Sequence, residues 1–240
     1  LELNNSSVNF TISEGEPIPK ADSTILSFPE FGWTITSDDI QLENNQFYFS
    51  NLNNKRQPEI VDYNHLGFEN ISLKIKDLSL NDTSISADIQ QLSVLDHSGF
   101  HVKNLSTEIS LNNQKIAANK LNLQTPETSL VGDVQLSFHD FEALSDFINA
   151  VKLEASFEPS QVAYQDLTKL VAVLKDIPVM ETNINEKVIL DGHIILEKNN
   201  ILFKEFEAVI GKAFSLQAIG TIDQLTNDPL FNLNIKKLQT

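Results

Sequence analysis

Hydrophobic and polar residues alternate along most of the chain with a period of two. In residues 130–138, LVGDVQLSF, the even positions are apolar or glycine, and most of the odd positions are polar. This period is typical of a β-strand with one face buried and the other in water. The pattern recurs from residue 66 onward, and before it the candidate strands are residues 8–13, 33–37 and 46–50. The chain is therefore predicted to be mostly β.

Short Asn-rich connections separate several of these strands. They lie at residues 81–82, 112–113 and 199–200, each between two alternating runs. Asn and Asp tolerate the positive φ that a two-residue hairpin turn requires. The connections predict successive antiparallel hairpins, which form a meander.

The alternation also changes phase where no turn residue is present. Such slips occur between Ile75 and Leu78 and between Val102 and Leu105, and a third lies in residues 116–121. A slip without a turn predicts a β-bulge, which bends the strand while its apolar side stays inward. Gly132 is expected to let the sheet bend in the same way.

Two segments have a helical period instead. Residues 139–149 place Phe141, Leu144 and Ile148 on one helical face, with Asp140 as the expected N-cap.

Residues 160–178 place a second set of apolar residues on one face: Leu167, Leu170, Val171 and Leu174. Ser160 is the expected N-cap of this helix, and Pro178 lies beyond its end.

Two short helices cannot cover all the one-sided strands, and three arrangements resolve the mismatch. A β-sandwich packs two sheets face to face, and a barrel closes the sheet on itself. A curled open sheet leaves an apolar groove, which marks a binding surface. The alternation pattern by itself does not choose among them.

The composition excludes several classes of function. The net charge of −16 opposes binding to nucleic acid and to anionic lipid headgroups. The lack of cysteine excludes disulfides, thiolate metal sites and cysteine nucleophiles. No apolar run approaches the ~20 residues of a transmembrane helix. Because the chain begins with leucine, it is expected to be an interior piece of a longer protein whose membrane anchor lies outside it.

Two small groups of polar residues are candidates for chemistry. Asp96, His97 and His101 are potential metal ligands, but Ser98-Gly99 between the histidines predicts a turn or bulge, and no further ligand is obvious. Asp191 and His193 lie two apart on one strand face, without a nucleophilic serine motif. Both groups are better explained as polar surface. The sequence predicts no catalytic residue, no metal site, no cofactor and no enzyme activity.

An ordered set of short motifs runs from residue 61 to the end of the chain. They are DYNHL at residues 62–66, IQQLSVLDHSGF at 89–100, VKNLST at 102–107, LNLQTPETSL at 121–130, DLTKLVAVLKDIPVM at 166–180, and the segment from GTI to NLNIKKL at 220–238. In this order they resemble the TamB-type translocation and assembly module proteins of Bacteroidetes bacteria, which are similar to AsmA-like and bridge-like lipid-transfer proteins.

The resemblance implies a long, curled antiparallel β-sheet that forms an open hydrophobic groove, with two short helices. Such proteins span the periplasm of Gram-negative bacteria from an inner-membrane anchor to an Omp85-class outer-membrane barrel of the TamA or BamA type. The family is implicated in phospholipid transport to the outer membrane and in assembly of outer-membrane proteins, and it has no catalytic residues. The expected partners are therefore phospholipid acyl chains and the barrel.

The inward apolar positions are the expected wall of this groove. They are Val134, Leu136, Phe138, Leu153, Phe157, Val188, Leu190, Ile194, Leu196, Phe214, Leu216, Ile222, Leu233 and Ile235. Residues 61–240 are predicted to form the groove segment, and residues 1–60 an N-terminal β-segment. The alternative is a β-sandwich module that binds partners, either as a scaffold for outer-membrane protein assembly or as a secreted adhesin.

Overall fold

The structure is a computed structural model that describes residues 1–12, 32–170, 187–210, 214–225 and 228–239, with the backbone alone at residues 145, 210, 214–216 and 236–239. These residues form thirteen strands. The strands are β1 (Glu2–Asn4), β2 (Ser7–Ile12), β3 (Ile35–Asn51), β4 (Gly67–Leu80), β5 (Ser84–Asp96), β6 (His101–Asn112), β7 (Lys115–Gln124), β8 (Ser129–Ser137), β9 (Lys152–Ala163), β10 (Lys187–Glu197), β11 (Asn200–Ile210), β12 (Phe214–Asp223) and β13 (Leu230–Gln239).

All thirteen strands belong to one open sheet. From β3 to β13 each strand pairs antiparallel with the next in the chain, and β1 and β2 pair parallel with β3 at one edge. At the other edge β13 pairs with β12. The mostly β fold with an open, curled antiparallel sheet is therefore confirmed, and β1–β3 lie in the same sheet as the strands beyond residue 61.

The first long strand corrects the sequence interpretation. Residues 33–37 and 46–50 were expected to form two short strands, but Ile35–Asn51 is a single strand. Ile40 and Leu42 continue the apolar face through the polar stretch, opposite Ile75 and Leu73 of β4. The register then shifts beside Asn44, whose φ is 54°, so the alternation changes phase without ending the strand.

The meander of hairpins is confirmed. Residues 81–83 connect β4 to β5, and residues 113–114 connect β6 to β7. Between β10 and β11 the two turn residues are Lys198 and Asn199, with φ of 50° and 62°. This last turn lies one residue before the predicted pair, and its two positive φ angles suit the twist of a two-residue hairpin.

All three predicted bulges are present. The register shifts between Lys76 and Ser79, where Asp77 has a φ of 51°. It shifts between Ala118 and Leu121, where Lys120 has a φ of 52°. The third shift lies where residues 102–105 face β5.

Further shifts interrupt the pairing within β3, β8, β9, β10 and β11, so bulges recur near the middle of successive strands. Because a bulge bends its strand, this series of bulges curls the sheet into a trough.

The first helical segment is largely a 3-10 helix, Phe141–Asp146, followed by one turn of α-helix, α1 (Phe147–Ala150). Asp140 is the N-cap, as predicted: its side chain accepts a hydrogen bond from the Ala143 amide at 3.1 Å.

The second helix, α2 (Tyr164–Leu170), begins later than expected. Ser160 is not its cap, because β9 continues to Ala163 and the Ser160 hydroxyl bonds Val131 of β8 instead. Residues 171–178 of the predicted helix, including Pro178, lie outside the described residues.

The Asp140 cap predicts a local dependence on acid. Its hydrogen bond with His139, and then the Ala143 amide, lower the pKa of the Asp140 carboxyl. A lowered folded-state pKa stabilises the turn above the ordinary Asp value of about 4, and this stabilisation is lost as the pH falls through the folded-state value. In NMR spectra, the Ala143 amide shift should titrate below pH ~4 in the wild type and should be flat there in Asp140→Asn. The same titration in both proteins would contradict the assignment.

Candidate functional site

A continuous row of apolar side chains crosses the sheet from β3 to β13. Directly paired residues of neighbouring strands point to the same face, so the register defines the row. Its eleven members are Ile35, Leu80, Ile85, Leu111, Ile116, Leu136, Leu153, Leu196, Ile201, Ile222 and Phe231. We call this row the long ladder. At about 4.8 Å per strand it is roughly 48 Å long.

A second row runs beside the long ladder, two residues further along each strand. From β5 to β13 it consists of Ala87, Ile109, Ala118, Val134, Ala155, Ile194, Phe203, Gly220 and Leu233. Small residues on several strands alternate with large ones on their neighbours. The two rows together form a floor without a polar side chain.

A leucine ladder crosses the opposite half of the same face. It consists of Leu42, Leu73, Leu92, Leu105, Leu123 and Leu130, in successive register from β3 to β8. The apolar face of β3–β8 therefore has two ladders, one near each end of the strands. We call the strand ends joined by residues 52–66, 97–100 and 125–128 the upper rim, and the opposite ends the lower rim. The long ladder lies near the lower rim and the leucine ladder nearer the upper rim.

The register places most of the predicted wall residues on this one face. Leu136, Leu153, Leu196 and Ile222 belong to the long ladder, and Val134, Ile194 and Leu233 belong to the second row. The others follow the alternation: Phe157 lies opposite Gly132 and Gly192, Val188 opposite Val162, Leu190 opposite Ser160 and Ala208, and Ile235 opposite Ala218. For Phe214 and Leu216 the Cα partners are Ile210 and Ala208.

Phe138 lies one row beyond the long ladder, just past the end of β8. It is 7% exposed, and its ring packs against Phe141 of the 3-10 helix with centroids 5.5 Å apart. Val151, the C-cap of α1 just before β9, is 1% exposed. The lower rim is therefore closed locally between β8 and β9.

The long ladder itself has no such cover. Its members from Leu80 to Ile222 are all partly exposed, although they are apolar and sit in the middle of a large sheet. Because the described strands form one sheet, no second sheet of described residues packs on this face. Charged residues such as Lys76 lie on the other face, where Lys76 is paired with Asp39 and Asp88 of the neighbouring strands.

At the upper rim, the loop of residues 52–66 and α2 meet over the trough, and we call the pair the strap. The Val61 amide donates to the Lys169 carbonyl at 2.9 Å, and the Tyr63 hydroxyl donates to the Leu170 carbonyl at 3.1 Å. Beneath the strap lies a buried cluster of Val61, Phe100 and Val102. Leu66, Val94, Leu105, Leu123 and Leu170 pack against it. The strap therefore covers the leucine ladder at β6 and β7.

The turn TPET at residues 125–128 anchors α2. The hydroxyls of Thr125 and Thr128 both donate to Oδ2 of Asp166, each at 2.6 Å. The Thr128 hydroxyl also accepts the Ala163 amide at 3.0 Å, where β9 turns into the helix. Both threonines are buried, and burial strengthens these hydrogen bonds.

Five of the six motif segments that carry the family resemblance contribute residues to the strap or to the contacts that hold it, and the segment at residues 220–238 does not. In DYNHL the Asp62 carboxylate accepts the amides of Gln57 and Asn64, which fixes the loop, and Leu66 reaches the cluster. In SGF, Gly99 makes the turn and Phe100 enters the cluster. Sequence reasoning identified these motifs but missed the strap, because their meeting point depends on contacts across more than a hundred residues, such as Tyr63 with Leu170.

Thr128→Val is expected to loosen the strap by about 2 kcal/mol, because it removes a buried hydrogen bond to a charged group and leaves the Ala163 amide unpaired. Hydrogen exchange at the Val61 amide measures the effect. Thr36→Val, at an exposed position of β3, is the matched control and should change stability by less than about 0.5 kcal/mol. Equal effects of the two substitutions would contradict the anchor.

The candidate metal ligands are not brought together. The Asp96 carboxylate accepts the Ser98 amide at 2.9 Å, and His97 Nε2 lies 3.2 Å from a Glu69 oxygen. His101 begins β6 opposite Leu95. Among the described residues no group of three or more potential ligands is positioned for a metal.

The second candidate pair is also separated. His193 Nδ1 lies within hydrogen-bond distance of the Ser156 hydroxyl, at 2.7 Å, rather than of Asp191. Both histidine and serine lie on the face opposite the trough, in register across β9 and β10.

Within the part of the chain that the structure describes, no helix has both the length and the apolar character needed to cross a membrane. Comparisons of the chain with protein-family models, with curated proteins and with solved structures found no match.

Proposed function

We propose that this chain is a segment of a periplasm-spanning bridge whose trough carries phospholipid acyl chains toward the outer membrane, as the resemblance to TamB-type proteins implies. The observation that carries the proposal is the long ladder: eleven apolar residues in unbroken register on a face that no described sheet covers. An Omp85-class barrel would receive the lipid, and an anchor outside this chain would hold the bridge at the inner membrane.

The physical role of the trough is to shield hydrocarbon from water. Transfer of an acyl chain into water costs about 0.8 kcal/mol per CH₂, so a chain of roughly a dozen methylenes meets a barrier of about 10 kcal/mol. A floor that covers half of the chain surface removes about half of that barrier. The zwitterionic or charged headgroup stays in water at the open side.

The dimensions of the floor suit this task. The hydrocarbon core of a bilayer, two leaflets thick, measures about 30 Å, so a single acyl chain spans about half of that. The long ladder, at roughly 48 Å, is long enough for about three chains end to end. A chain can therefore advance along the sheet without leaving the apolar surface.

The charges support the same role. The chain has a net charge of −16, and charged strand residues such as Asp88 and Glu108, in register on β5 and β6, face away from the trough. An acidic outer face keeps the segment in solution and reduces adhesion to anionic membranes.

Lipid titration tests the proposal. The purified chain is titrated with a phospholipid that carries an environment-sensitive fluorophore at the end of one acyl chain, and in parallel with one labelled on the headgroup. We expect saturable binding of both, with a blue shift for the acyl label alone. If neither lipid binds saturably, the proposal fails.

The competing proposal is a partner-binding scaffold for outer-membrane protein assembly or an adhesin. The observation in its favour is the apolar edge at β13, where Leu230 and Phe231 are 58% and 69% exposed. The two-sheet sandwich expected for such a module differs from the described strands, which form one sheet. The scaffold predicts binding of a protein strand at this edge without binding of lipid.

A further inference from the structure

We propose that on β6 and β7 acyl chains occupy only the half of the trough made by the long ladder and the second row, because the strap closes the leucine ladder to them there. This inference rests on the proposed function and specifies where on the sheet the hydrocarbon lies.

At β6 and β7 the upper half of the face is already covered by the protein itself. Val61 of the loop is 4% exposed, and it packs with Phe100 and Val102 over Leu105 and Leu123. An acyl chain on the leucine ladder would have to displace these contacts before it gained its own. Its entry there would therefore exchange one apolar contact for another, with no net burial of hydrocarbon to drive it.

The strap is held by polar contacts in addition to its apolar core. Two hydrogen bonds join loop to helix, at Val61 and Tyr63, and Asp166 ties the helix to the TPET turn. These contacts join three separate parts of the chain, namely the loop, α2 and the TPET turn. The strap is thus held in place over Leu105 and Leu123 of the leucine ladder.

The lower half of the same strands is open. There β4 is joined to β5 and β6 to β7 by tight turns, residues 81–83 and 113–114, which are too short to fold over the floor. On these strands Ile85, Leu111 and Ile116 of the long ladder are partly exposed.

The side chains of the long ladder and the second row are also apolar, as a binding surface for hydrocarbon requires. From β5 to β13 neither row contains a donor, an acceptor or a charge on its side chains. Small members of the second row, Ala87, Ala155 and Gly220, leave depth beside the larger residues of the long ladder. A peptide strand would leave polar groups unpaired on this floor, which is unfavourable, whereas an acyl chain has none.

Photolabelling of the unmodified protein tests the inference. The full chain is incubated with phosphatidylcholine vesicles that contain a phosphatidylcholine with a diazirine in its acyl chain, then irradiated, and the labelled residues are located by peptide mass spectrometry. The matched pairs lie on single strands: Leu111 against Leu105 on β6, and Ile116 against Leu123 on β7. We expect at least tenfold more label at Leu111 and Ile116.

The outcomes separate the two proposals. Equal labelling of both members of each pair overturns the restriction to the lower half and leaves the proposed function standing. Absence of label from the whole inner face overturns both.

A variant, Asp166→Ala, tests whether the strap is what closes the leucine ladder. The variant loses the hydrogen bonds from Thr125 and Thr128, which hold α2 in place. Hydrogen exchange at the Val61 amide should therefore be faster, and labelling should extend to Leu105 and Leu123. If exchange speeds up while these two leucines stay unlabelled, the strap is not the closure and the inference fails.

Discussion

Glutamate in place of Ile194 should lower phospholipid affinity at β10 by about a hundredfold, whereas glutamate in place of Ile195 should leave it within about twofold of the wild type. Ile194 lies in the second row, between Ala155 and Phe203, while Ile195 is on the outer face between Glu154 and Leu202. An acyl chain laid over an ionised carboxylate would desolvate it without a partner, which costs several kcal/mol. A penalty of about 2.8 kcal/mol is already a hundredfold loss of affinity.

The two neighbouring substitutions control for each other. Both replace isoleucine by glutamate on β10, so differences in strand propensity and net charge cancel. Circular dichroism and thermal unfolding should show the same folded content in both variants before binding is measured. Lipid affinity of Ile194→Glu within threefold of that of Ile195→Glu would mean that acyl chains do not contact the second row.

The second large effect is a loss of stability expected for Gly132→Ala, because the backbones of β8 and β9 approach closely at Gly132. A Cβ added at Gly132 would lie 2.1 Å from the Ser156 carbonyl oxygen of β9. Because this oxygen belongs to the backbone, the clash cannot be relieved by a change of side-chain rotamer. Gly132→Ala must therefore push β8 from β9 beside the register shift, and it should destabilise the chain by about 3 kcal/mol. Chemical denaturation measures the change.

Gly99→Ala is the matched control for this prediction. Gly99 has a φ of +77°, but the nearest atom to an added Cβ is the flexible Lys169 ammonium group at 3.6 Å. This variant should lose about 1 kcal/mol, from the left-handed conformation alone. If Gly132→Ala costs no more than Gly99→Ala, the steric account of Gly132 is wrong.

The strands and their apolar face were predictable because alternation is a local property. Residues two apart identify the inner side of each strand, as Leu153, Ala155 and Phe157 do on β9, and a phase slip indicates a bulge within the same strand. The same reasoning was wrong for β3, where a bulge interrupts the alternation within one continuous strand. At Asn44 the slip, together with polar neighbours, made β3 look like two strands.

The register that aligns the residues of the long ladder could not be predicted from the sequence. Whether Leu136 faces Leu153 depends on how residues 138–151 fold, since this connection contains a 3-10 helix and α1 rather than a tight turn. The strap was not predictable either, because Asp166 contacts Thr125 and Thr128 only where the pairing of β8 with β9 brings α2 next to the TPET turn. Local patterns thus identified the apolar residues, and nonlocal pairing determined that they form a continuous floor.

The most direct test of the central claim is native mass spectrometry of the chain purified from a bacterial envelope in the absence of detergent. The lipid-carrying trough predicts peaks displaced by the mass of one or more phospholipids, which are lost on collisional activation, and fewer bound phospholipids in the Ile194→Glu variant. Only the mass of the bare chain, in wild type and variant alike, would contradict it.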